Sequence, residues 1–101
     1  MASRLELHEV LCEVLGSRNA YYQPPASVRM IYPCIRYRKY AIDNVPADNM
    51  PYLQFHGYEL TVIDKDPDSV VAEAVSKLPR CRFTRSYYAD NLNHFVFIIY
   101  Y

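Results

Sequence analysis

The residues able to do chemistry are few. They are the cysteines Cys12, Cys34 and Cys81, the histidines His8, His56 and His94, and the carboxylates Glu59, Asp64, Asp66 and Asp68. A cysteine nucleophile needs a base within hydrogen-bond reach, and the candidate pairing is Cys81 or Cys34 with His94. His94 stands in NLNHF beside Asn91 and Asn93, yet no local motif ties it to either thiol. His8 adjoins Glu9 near a helix start, and His56 falls at a sheet edge or bulge. The cysteines form no C-x-x-C and have no histidine at metal-ligand spacing, so they read as buried free thiols of a reducing compartment. Asp64, Asp66 and Asp68 alternate as in a calcium loop, but the glycine at the sixth position and the closing glutamate are missing. Pro67 starts a helix there, so N-capping explains the run better. Two glycines, Gly16 and Gly57, cannot build a phosphate-cradling loop. The expectation is a chain with no catalytic residue, no metal and no cofactor.

Two basic-aromatic strips remain, Arg36, Arg38 and Lys39 with Tyr37 and Tyr40, and Arg80, Arg82 and Arg85 with Tyr87 and Tyr88. On a strand such a strip could hold single-stranded nucleic acid by charge and stacking. Against this, 11 basic residues balance 11 acidic ones, whereas a protein that holds a phosphate backbone carries a basic excess. There is no RNP1-like run either, and a solvated strand face accounts for the same residues. A net charge near zero lowers repulsion between copies, and 11 tyrosines suit surfaces that contact other proteins. Protein partners are therefore favoured, with a small nucleic-acid-binding module as the alternative from another class.

The elements that must position these groups follow from periodicity. Leu7, Val10, Leu11, Val14 and Leu15 form one stripe, predicting a helix over 3–16 capped by Ser3 with Glu6 and closed by Gly16. The segment 17–27 reads as a connection, since Pro24-Pro25 excludes helix and central strand, while Tyr21 and Tyr22 pack on a domain edge or a neighbour. Residues 27–40 read as a strand pair, or one strand broken at Pro33, with Ile35 and Tyr37 inward and Arg36 and Arg38 outward. Residues 41–50 read as a protruding loop. A long strand over 51–64 changes its apolar parity at Gly57, which predicts a β-bulge there. A second helix begins with Asp66 as N-cap, Pro67 and Asp68, buries Val70, Val71, Ala74, Val75 and Leu78, and stops at Pro79. Strands over 80–88 and 91–101 are joined near Ala89-Asp90-Asn91. The last has two apolar faces, so it is either covered on both sides or offers Val96 and Ile98 to a partner.

The fold class expected is α+β: one domain over 1–101, a two-layer sandwich of two helices on a mostly antiparallel sheet of four to five strands, in the order α-β-β-α-β-β. The N-terminal segment has charges where a signal peptide needs its apolar run, and no uncharged apolar stretch is long enough to span a membrane, which predicts a cytoplasmic site of synthesis and assembly.

The succession LHEVLCEVLG, YYQPP, MIYPCIRYRK, YELTVIDKDPDS, LPRCRF and ADNLNHFVFIIYY covers nearly the whole chain. It resembles the tail terminators and related head–tail joining (neck) proteins of tailed bacteriophages and prophages. That resemblance implies a small α/β sandwich that assembles into a ring, commonly a hexamer. The ring caps the head-proximal end of the tail tube, ends its polymerisation and joins it to the capsid connector. The implied partners are further copies of the chain, the tube protein, head-completion proteins and DNA passing through the lumen without sequence-specific binding. The implied location is the virion, and the family has no catalytic residue to carry over. A head-completion, connector-stopper protein is the alternative on the other side of the joint. In a ring, the expected contacts are Asp43, Asn44, Asp48, Asn49 and Met50 on a projecting arm, with Val96, Ile98, Tyr100 and Tyr101 on the last strand. Arg36, Arg38, Arg82 and Arg85 are the candidates to face a lumen or DNA.

Overall fold

Helix α1 (Arg4–Leu15) leads into a short strand β1 (Ala20–Tyr22), and two long strands follow, β2 (Cys34–Ala47) and β3 (Met50–Asp64). Helix α2 (Val70–Ser76) then precedes the hairpin of β4 (Cys81–Ala89) and β5 (Leu92–Tyr100). The computed structural model describes residues 4–25, 29–47 and 50–101, with 41–47 and 50–55 described by their backbone. The strands form one mixed sheet in the order β1-β2-β3-β5-β4; β1 runs parallel to β2 and every other pair is antiparallel. The α+β class stands, with one strand more than the expected order.

Both helices lie on one face of this sheet. Leu7, Leu11 and Cys12 of α1 and Ala72 and Val75 of α2 pack on Ile35, Tyr37, Tyr58, Leu60, Val62, Phe97 and Ile99. Each large side chain so buried stabilises by roughly 1.5–3 kcal/mol, which is what holds short helices that would not persist alone. Gly16, at φ 73°, ends α1 as expected, and its N–H and that of Ser17 both donate to the Cys12 carbonyl. The Ser3 cap lies outside the described residues.

Four expectations need correction. The N-cap of α2 is Ser69, whose hydroxyl accepts from Ala72 N at 3.1 Å; Asp64 and Asp66 instead accept from backbone N–H groups two residues on. Val70 consequently falls outside the buried face and is 75% exposed. The second correction is β1, absent from the expected elements: three residues of the predicted connection add to β2, with Ile35 N donating to Asn19 O and Gln23 N to Tyr37 O.

The third concerns 41–50. Residues on both sides of the connection are strand, paired from Ala41↔Gly57 to Ala47↔Met50, so the projection is a two-stranded arm rather than a loop. β5 pairs with β3 only up to Gly57↔Tyr100, with Tyr101 N also donating to the His56 carbonyl at 3.0 Å, and β1 pairs with β2 only over 35–37, so beyond the Ile42↔His56 pair neither edge of the arm has a strand neighbour among the described residues. The arm makes the molecule 51 Å long against 25 and 22 Å, with a radius of gyration of 14.5 Å where a compact chain of this size has about 13 Å. The fourth is the bulge, which belongs to the partner strand. β3 runs through Gly57 without a break, and Tyr40 is the extra residue of β2, between the pairs Lys39↔Tyr58 and Ala41↔Gly57.

Candidate interaction surface

The helix-free face of the sheet gathers most of the candidate residues. Registers place Cys34, Ile63, His94 and Tyr87 in one row across the four long strands. The next row is Arg36, Thr61, Val96 and Arg85, and the third is Arg38, Glu59, Ile98 and Arg82. Arg82 and Arg85 are three apart, a spacing that in a regular strand sends side chains to opposite faces. The extra residue Thr84, whose hydroxyl bonds the Val96 carbonyl at 3.0 Å, brings both to the same side. The four expected arginines thus share one face, two on β2 and two on β4, across an apolar floor.

Most of that floor is shielded within the chain. Val96 is 1% and Ile98 6% exposed, although no helix covers them, and their neighbours in register on β4 are Arg85 and Arg82. Val96 and Ile98 are thus not free contact points. Tyr100 is half-buried with its ring against Gly57, and Tyr101 packs at the edge of the helix-side core. Arg38 pairs with Glu59 at 3.1 Å, while Arg36, Arg82 and Arg85 are exposed. Tyr87 stacks on His94 with ring centroids 4.6 Å apart and planes at 9°, and Arg85 lies 5.8 Å from the Tyr87 ring. Beside β2 a cleft of about 390 Å³ opens between Gln23, Pro24, Arg36, Arg38, Glu59 and Thr61.

The structure does not bring a thiol to His94. Cys81 pairs with Ile99 and points to the helix side, whereas His94 faces the other way. Cys34 shares the row of His94 but two strands away, roughly 10 Å. Burial pushes both thiols, Cys34 and Cys81, up to about 11, the opposite of nucleophile activation. His94 Nδ1 lies 3.2 Å from the Leu92 carbonyl. His8 is engaged on the helix side, its Nδ1 2.6 Å from the Tyr37 hydroxyl, to which Arg4 also donates at 3.4 Å. Burial holds the Tyr37 phenol above its ordinary range, with the Arg4 bond opposing it.

Asp43, Asn44 and Met50 lie on the arm, Asp43 opposite Phe55, Asn44 opposite Gln54 and Met50 opposite Ala47; Asp48 and Asn49 are outside the described residues. What the sequence reading missed is the sorting of charge by face. The 36/38 alternation was visible, but the 82/85 pair needed a bulge that its composition does not announce. Among the described residues no helix is long and apolar enough to cross a membrane. No protein-family model matches the chain, and no curated protein matches it.

Proposed function

We propose that this chain is a structural subunit that assembles with copies of itself, as a ring of a phage neck or tail. In that role it caps the head-proximal end of the tail tube, ends polymerisation and joins the tail to the capsid connector. The observation that carries the reading is the arm. A two-stranded ribbon with two open edges is marginal in water and gains its stability from what it docks on. The resemblance narrows the assembly to the head–tail joint, with the head-completion side as its alternative.

The test is the mass of the assembled particle by native mass spectrometry. The intact chain is expected to form a closed ring, a hexamer by the resemblance. A variant in which an Asn-Gly turn replaces residues 43–55 between Ile42 and His56 is expected to stay monomeric while keeping its thermal transition. A trimmed variant that still forms rings and still completes tails would overturn the arm's role. An intact chain that remains monomeric at millimolar concentration and on tube ends would overturn self-assembly itself.

A second reading, a small nucleic-acid-binding module, is favoured by one observation, the four arginines on a single face beside the Tyr87–His94 stack. It predicts salt-dependent binding of short oligonucleotides by the monomer, lost on replacing Arg36 and Arg38.

A further inference from the structure

We infer that the arm of one copy docks by its β3 edge on the open edge of β4 in the next, so that the sheet continues from molecule to molecule; the inference rests on the self-assembly reading and names the two edges that meet. β4 is the last strand of the sheet, and every residue from Arg82 to Tyr88 is exposed. Two features fix which of its backbone groups face β5. Ala89↔Leu92 flanks the two-residue turn, and Tyr100 N donates to the Arg80 carbonyl at 3.1 Å. Only alternate pairs of an antiparallel ladder exchange bonds, so Arg85, Tyr87 and Ala89 bond β5, while Ser86 and Tyr88 turn their N–H and C=O outward. Past the Thr84 bulge, Arg85–Ala89 is therefore a regular open edge of ordinary strand length. At the other end of the sheet β1 offers three residues.

The arm supplies the matching edge. His56 turns its carbonyl toward the β5 side, where Tyr101 N donates at 3.0 Å. Gln54 stands two residues away in the unbroken register of 53–57, so its N–H and C=O face the same side, where no strand follows among the described residues. Charges, prolines and bulges are what blunt a strand edge. The β2 side of the arm has all three, in Asp43, Pro46 and the Tyr40 bulge at its root. The β3 side, Met50–Phe55, is uncharged, holds the strand formers Tyr52 and Phe55, and has one proline, Pro51, near the tip. Addition of such a strand to an open sheet edge is a recurrent mode of recognition, with main-chain bonds supplying the affinity.

Charge selects among the ways these edges can pair. Residues 80–89 hold Arg80, Arg82 and Arg85 and no carboxylate, whereas residues 41–58 hold Asp43 and Asp48 and no lysine or arginine. Asp68 and Glu73 stand beside Phe83 on the helix side and Asp90 in the turn, so the basic side of the β4 edge is the helix-free one, with Arg82 and Arg85. β4 on β4 brings two arginine strands together and arm on arm two acidic segments, and like charges across a pair of strands are unfavourable. Arm on β4 joins opposite signs. That contact is heterologous: each copy gives an arm and receives one, and the series continues until it closes as a ring or runs on as a filament.

Proline at an outward-facing N–H tests it on the full-length chain, because it removes a docking bond without removing a ladder bond. S86P blocks the receiving edge and Q54P the arm; thermal unfolding of each checks that the fold is kept. Each variant alone should be monomeric by sedimentation. An equimolar mixture should stop at a dimer of one S86P and one Q54P chain, since only the arm of the first and the β4 edge of the second remain open. Loss of assembly in Q54P alone would mean arm-on-arm pairing, and loss in S86P alone β4-on-β4 pairing; either overturns the inference. If both variants assemble as the parent does, docking through these edges is wrong while the parent's ring, and with it the proposed function, still stands. A parent that never assembles removes the proposed function and this inference together. Amide hydrogen exchange on the assembled parent decides without any substitution. The N–H groups of Gln54, Ser86 and Tyr88 should exchange at least about 100-fold more slowly than in an unstructured peptide, and unprotected exchange at all three would overturn the docking.

Discussion

Replacing Tyr37 by phenylalanine and by alanine separates the two ways in which this residue holds α1 to the sheet. Tyr37 is 1% exposed; its ring lies 5.1 Å from that of Tyr22, 5.8 Å from His8 and 6.3 Å from Tyr58. Its hydroxyl reaches His8 at 2.6 Å and Arg4 at 3.4 Å. Y37F removes the oxygen alone. His8 is half-buried and can turn to water, and Arg4 keeps its place 4.3 Å over the Tyr22 ring, so the loss is that of one net hydrogen bond, about 1 kcal/mol. Y37A also empties the ring's volume at the centre of the helix–sheet contact, for about 3–5 kcal/mol in total. Urea unfolding followed by circular dichroism reads both. With an m-value of about 1.2 kcal/mol per molar, Y37F should lower the midpoint by about 0.8 M and Y37A by about 3 M. Equal shifts for the two variants would refute the reasoning, because they would mean that the ring contributes nothing beyond its hydroxyl.

Gly57 makes a sharper steric prediction: a Cβ built there meets the Tyr100 ring at 3.1 Å, so G57V should cost about 1–3 kcal/mol in thermal unfolding and Y100A should recover part of it. Failure of Y100A to recover any of the loss would show that the strain lies elsewhere. Stability should also fall at alkaline pH through Cys34. Its thiol is held up to about 11 in the fold against an ordinary 9.0, so above pH 9 the unfolded chain gives up its proton first. The contribution is complete below about pH 9 and is lost as pH rises through 11, amounting to about 2–3 kcal/mol. C34A should decline less steeply over that window in urea titrations, and identical slopes would count against the assignment.

Legibility in the sequence followed how local the cause was. The stripe of α1 and the left-handed Gly16 are properties of neighbouring residues and were readable. So was the β4–β5 connection, where Asp90 and Asn91 adopt φ 54° and 61°, the mirror-image turn that these side chains tolerate. The misreadings arose where the deciding partner is distant. The segment 41–50 is rich in Asp and Asn and contains Pro46, which argues against strand; yet Pro46 stands at the register shift between Val45 and Ala47, where a missing N–H costs no ladder bond. The apolar parity change at Gly57 predicted a bulge in β3, but β3 keeps its register there and the extra residue is Tyr40 of the opposite strand, which nothing near Gly57 could disclose. Asp66 was the cap expected for α2, and Ser69 takes that place, its hydroxyl accepting from Ala72 N and donating to Asp64 Oδ2 at 2.7 Å. For the candidate surface, the arginines were visible and their common face was not, because Thr84 shifts the register between them.

The position of the Tyr40 bulge has a mechanical consequence. It lies at the root of the arm, one residue before β2 leaves the body of the sheet at the Ala41↔Gly57 pair. From that pair to Ala47 the ribbon reaches about 20 Å beyond its root. Bulges are the places where paired strands bend and coil, so this one acts as the fulcrum of a lever. A change of about 10° at Tyr40 would carry the tip through about 3.5 Å, close to the rise of one residue along a strand. A contact made at the body could thereby be felt at the tip as a shift from one row of hydrogen-bonding partners to the next.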